Sequence, residues 1–135
     1  MKSRETLIRL KRFQVDEKRR KVAQIETMIA EFERMSADLE REITTEQAKA
    51  GISDPGHFAY PTYAKAAIQR RDNLARSIGD LKTQLEEARA HLADAFEELK
   101  KVEILEERDQ QRERAEAAAR EQAELDRVGA QRVRV

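Results

Sequence analysis

The sequence predicts an all-α protein: two long helices folded into an antiparallel coiled-coil hairpin. Two heptad runs and the stretch between them carry that prediction. Val22, Ile25, Ile29, Phe32, Leu39 and Ile43 recur at alternating steps of three and four, with Ser36 filling one slot. Leu74, Ile78, Leu81, Leu85, Ala88, Leu92, Ala95, Leu99 and Val102 do the same without a break. Apolar residues sustained at the a and d positions of a heptad form the seam along which two helices pack. Between the runs lies Gly51-Ile-Ser-Asp-Pro-Gly-His-Phe-Ala-Tyr-Pro61, which contains both prolines of the chain. Two seams joined by one short turn fold back on each other. Such a hairpin has no enclosed cavity, so function is expected on its surface or at its ends.

The first helix is expected over about 3–50, with Ser3 as N-cap, because its hydroxyl can accept from a free backbone N–H, and Glu5 in the first turn. Gly51 can take the left-handed conformation that ends helices. The turn is expected over about 51–60. The second helix is expected over about 61–128, with Pro61 in the first turn, where a missing N–H costs nothing, and no strong stop before Gly129. Residues 1–135 then make one domain. At 1.5 Å per residue the helices are roughly 70 Å and roughly 100 Å long.

The seam of helix one extends backward through Val15 and Ile8 at a, but Lys18 and Lys11 fall at d. Leu7, Leu10 and Phe13 lie on a neighbouring stripe, which is either a local shift of the seam or an exposed apolar patch. In an antiparallel pair each a residue meets a d residue, so partner numbers have a constant sum. A turn centred near Pro55 gives a sum of 110, with layers Ile43–Ala67, Ser36–Leu74, Phe32–Ile78, Ile29–Leu81, Ile25–Leu85, Val22–Ala88, Val15–Ala95 and Ile8–Val102. A register one heptad away sums to 117 and pairs Phe32 with Leu85 and Lys11 with Glu106. The first leaves a symmetric turn and is preferred. In both, helix two outruns helix one, and its apolar pattern ends at Ile104-Leu105. The Ala-rich Ala115-Glu-Ala-Ala-Ala-Arg-Glu-Gln-Ala123 has strong helix propensity and opposite-charge pairs such as Glu116–Arg120. With nothing apolar to pack, the stretch beyond Leu105 is expected to be a lone helix fraying toward Val135, or one that awaits a partner.

Composition narrows function. Charged residues make up 40% and aromatics 4%, which argues against a compact globular core. Lys+Arg and Asp+Glu are 27 each, so no global field draws the molecule to nucleic acid or an anionic membrane. Charge is nonetheless local: residues 1–21 hold nine basic and three acidic groups, a net +6. Without cysteine, disulfides, thiolate metal sites and thiol catalysis are excluded. The charged N-terminus does not resemble a signal peptide, and no apolar run approaches the ~20 residues needed to span a bilayer. A cytoplasmic protein is expected, without direct membrane insertion.

No catalytic, cofactor or metal constellation emerges. His57 in the turn and His91 beside the seam do not share a helix face, so they read as surface residues. The carboxylates lie on solvated faces without the desolvating pocket that acid–base chemistry needs, and the glycines are too scattered to cradle phosphate. The cluster Lys18-Arg19-Arg20-Lys21 reads as a solvated face. A nucleic-acid reader would interleave aromatics with basic groups or carry net positive charge, so no nucleic-acid partner is expected. Phe58, Tyr60 and Tyr63 sit at the turn, where they would cap the open end of the seam; an exposed docking tip is the sharper alternative. The basic, apolar-striped first helix offers the partner-binding candidates Leu7, Arg9, Leu10, Arg12, Phe13, Arg19 and Arg20.

Leu7-Ile-Arg-Leu10 followed by Lys11-Arg-Phe13-Gln-Val15 resembles the opening Leu-x-x-Leu stretch of the bacterial flagellar export protein family FliJ. Short length, absence of cysteine and the charged two-helix pattern agree with it over most of the chain. His57-Phe-Ala-Tyr-Pro-Thr-Tyr63 does not map onto a family motif. The resemblance implies a non-enzymatic component of the flagellar type III export apparatus. It implies an antiparallel coiled coil similar to the central stalk of rotary ATPases, without cofactor. The implied partners are the ring of the flagellar export ATPase and the export gate, with substrate chaperones for some members. The implied location is peripheral to the inner-membrane apparatus. A generic coiled-coil adaptor or scaffold unrelated to secretion is the alternative class, and a nucleic-acid-binding hairpin the weaker third.

Overall fold

The computed structural model describes residues 2–133, with side chains from 4 to 133. Helix α1 spans Lys2–Ala50 and helix α2 spans Thr62–Val133, with no strand among the described residues. The two helices pack against each other as an all-α antiparallel hairpin. The backbone of α1 is already helical at Ser3, and the side chain on which its N-cap reading depends lies outside the described residues, as does Val135. The chain divides into two compact units, Met1–Val15 with Asp94–Val135, and Asp16–Ala93.

In the unit Asp16–Ala93 the core is a cluster of Ile25, Ile29, Leu81 and Ala88 with Val22, Phe32, Ile78 and Leu85 packed against it. These eight residues make four consecutive layers of the register summing to 110. The flanking charges agree. Glu26–Arg89 (3.4 Å) and Glu33–Lys82 (3.9 Å) each sum to 115, while the Glu42–Tyr63 hydrogen bond sums to 105. In an antiparallel pair the e positions meet on one side of the seam and the g positions on the other. Sums displaced equally to either side of 110 therefore centre the seam there, and a seam at 117 would not produce them.

The turn is built from its own polar groups. Gly51 takes φ 68°, and its N–H donates to the Gln47 carbonyl at 2.9 Å, closing α1 with a left-handed cap. The Asp54 carboxylate accepts from Gly56 N–H at 2.9 Å, and its carbonyl accepts from His57 N–H at 3.0 Å. Pro61 stands just before α2; its carbonyl accepts from Lys65 N–H at 3.1 Å, so it caps the helix that it was expected to begin.

The aromatic trio divides. Tyr60 is buried, and Gln47 Nε2 donates to its hydroxyl at 2.8 Å, so this ring anchors the turn. Tyr63 is half-exposed and donates to Glu42 at 2.9 Å. Phe58 is 95% exposed and stacks on His57, with centroids 4.7 Å apart. The expectation that all three cap the seam thus fits Tyr60 and fails for Phe58.

In the other unit Val15, Leu99 and Val102 are buried and Ile8 is half-buried. Arg12–Glu103 (3.5 Å) sums to 115, which keeps Ile8 opposite Val102. Helix α2 continues through Gly129 to Val133, and every described residue after Asp109 is exposed. No described helix is long and apolar enough to cross a membrane.

Candidate partner-docking site

The seam of α1 in the first unit faces α2 through Ile8 and Val15. That orientation decides what the neighbouring apolar residues do. Leu7 falls at the g before Ile8, and Leu10 and Phe13 fall at c and f of the next heptad, each rotated about 60° from the one before. They are 39%, 49% and 52% exposed, so they form an outward stripe and not a shifted seam. Grouped exposed apolar side chains are a feature that interaction surfaces share, which makes this face the candidate. Arg9 and Arg12 are exposed beside them, and Arg12 is held loosely by Glu103 of α2.

Arg19 and Arg20 belong to the other unit, so the structure does not gather them with the five candidates above. Both are exposed, and Arg19 lies 3.9 Å from Asp16 on its own helix. In that unit a shallow apolar groove is lined by Phe32, Met35, Leu39 and Leu74, together with Ser77.

Of the two lysines expected at d, Lys18 is exposed and Lys11 finds charge instead of packing. Lys11 points its amine to Glu98 at 3.8 Å with its stem against the seam. Sequence reasoning counted Arg4 only as part of the basic segment. It falls at d, seven residues before Lys11, and its guanidinium reaches Glu106 at 3.5 Å and also hydrogen-bonds Asp109. The Arg4 hydrogen bond holds the Asp109 carboxyl below the usual carboxylate range. The same contact raises the guanidinium. This corrects the expectation that α2 is unpartnered after Leu105: pairing continues by charge to Asp109. Extending the heptads by one turn was the signal that would have found it. Among the described residues no group of three or more His, Cys, Asp or Glu could hold a metal ion.

Comparison with known proteins adds one finding. The family model described as "Flagellar FliJ protein" matches residues 1–135, the whole chain. No curated protein and no solved structure matched.

Proposed function

We infer a docking role from two premises: the chain belongs to the FliJ family of flagellar proteins, and its α1 carries an apolar stripe that its own seam leaves uncovered. Membership of that family gives the protein a role in flagellar export as a non-enzymatic component, in place of an adaptor unrelated to secretion. Within that role the protein is a coiled-coil stalk that binds the ring of the export ATPase, with the export gate as a further partner, at the cytoplasmic side of the inner membrane. Leu7, Leu10 and Phe13 supply the apolar contact, and Arg9 and Arg12 the charge that steers an acidic partner. Arg19 and Arg20 are a separate basic contact. The observation that carries this reading is the outward exposure of Leu10 and Phe13 on a helix whose apolar layer residues, Ile8 and Val15, face α2.

The experiment is a pull-down with the cognate export ATPase, comparing wild type with a Leu10→Asp/Phe13→Asp double variant, with helical content followed by circular dichroism. Loss of ATPase binding at unchanged helicity is expected. A folded double variant that binds like wild type refutes the assignment of this face. The exposure of Phe58 favours a second reading, in which the turn is the docking point. Binding lost in Phe58→Ala and kept in the Leu10/Phe13 variant would select it.

A further inference from the structure

Apolar packing gives out at the start of α1. No side chain from Arg4 to Phe13 is fully buried, the first that is being Val15, and on α2 no described residue after Val102 is buried. At that end a seam layer is filled by charge. Arg4 at d contacts Glu106 and Asp109, which continue the seam of α2 one and two steps past Val102. The Arg4 side chain is 25% exposed and Glu106 14%, so water reaches the pair only in part. Lys11–Glu98 and Arg12–Glu103 flank the next layer. Beside half-buried Ile8, ionic contacts thus tie the first turns of α1 to α2.

We propose that the first two turns of α1 are an ionic clasp: Arg4, seated between Glu106 and Asp109, fastens them to α2, and competing charge releases them while the layer of Val15, Leu99 and Val102 stays packed. A layer held by burial is indifferent to salt, whereas ion pairs near the surface weaken as the screening length falls. Helix ends open locally at low free-energy cost, so weakening one anchoring pair is enough to free a turn. Release bares Ile8 and the α2 surface beside Val102. It changes which apolar groups this end presents, while Leu10 and Phe13 lie beyond the released turns.

Backbone amide exchange tests the clasp. The first four N–H groups of a helix lack intrahelical partners, so the informative amides are those of Thr6 to Leu10. They are followed in the full chain at about 20 mM and about 1 M sodium chloride, conditions that take the screening length from longer than the ion pair's surroundings to a few ångströms. In wild type, exchange of these amides accelerates about three- to tenfold in high salt. Arg4→Gln exchanges fast at both concentrations, and a charge-swapped Arg4→Asp/Asp109→Arg variant recovers low-salt protection. The amides of Leu99–Val102 remain protected throughout. Full low-salt protection in Arg4→Gln, or salt-independent exchange in wild type, overturns the proposal. So does loss of Leu99–Val102 protection together with the end, because the opening is then not confined to the clasp.

Discussion

Leu81 shows how much one seam residue carries. It is buried in the cluster with Ile25, Ile29 and Ala88, opposite Ile29 in its layer. Leu81→Ala should destabilise the protein by about 2–4 kcal/mol, as truncation leaves a cavity between two helices that cannot collapse onto it. Urea unfolding measures it. Ser36 presents the reverse case: a small polar residue, half-buried, at an a position of the seam. Ser36→Val should raise stability by about 0.5–2 kcal/mol by placing an apolar β-branched side chain in the seam, and a loss of stability would show that its layer has no room for a larger side chain. Asp109 carries the pH dependence of its end. Its carboxyl is held below the ordinary range by the hydrogen bond from Arg4, so the stabilisation is present above the unfolded pKa and disappears as pH falls through the lower folded value. Protection of the Thr6–Leu10 amides should therefore fall as pH drops below about 4. Asp109→Asn should flatten that dependence; an unchanged profile would show that it does not arise from Asp109.

The two helices owe their ends to different chemistry, and glycine illustrates it. Gly51 sits at φ 68°, where a side chain is strained, and its N–H closes the last turn of α1. Gly129 lies inside α2, with open space around the position a Cβ would take. Gly51→Ala should cost about 1 kcal/mol. Gly129→Ala should raise helical content, since alanine is favoured over glycine in a helix interior by about 1 kcal/mol. Opposite signs in thermal melts and circular dichroism check the pair. The exposed part of α2 beyond Asp109 has no tertiary layer, so Arg120→Ala should change stability by less than about 0.5 kcal/mol. The heptads made both helices legible, because apolar periodicity records burial directly. The turn was legible only as a turn. Its internal order rests on Asp54 accepting from Gly56, and on Tyr60 being buried where Phe58 is not. Those choices depend on three-dimensional proximity, which composition does not encode.

Taken whole, the chain is electrically neutral but unevenly charged, and that unevenness separates what the sequence reveals from what it hides. The exposed stripe of Leu7, Leu10 and Phe13 was visible as a choice between a shifted seam and a bare patch; placing Ile8 and Val15 in the seam decided for the patch. Arg4 was hidden because a charged residue at d looks like the end of a pattern, when here it is the pattern's last layer. Every assignment of an inward or an outward residue, in either unit, depends on one quantity: the antiparallel register summing to 110. Since the chain has no cysteine, that register can be read by introducing single pairs. Ile29→Cys/Leu81→Cys and Phe32→Cys/Leu85→Cys are oxidised under identical mild conditions, and intramolecular disulfide is quantified by non-reducing electrophoresis and mass spectrometry. Rapid, nearly complete intramolecular closure is expected for Cys at 29 and 81, and slow, partial closure at 32 and 85. The reverse order would place the seam one heptad away, and disulfides formed only between chains would contradict the hairpin itself.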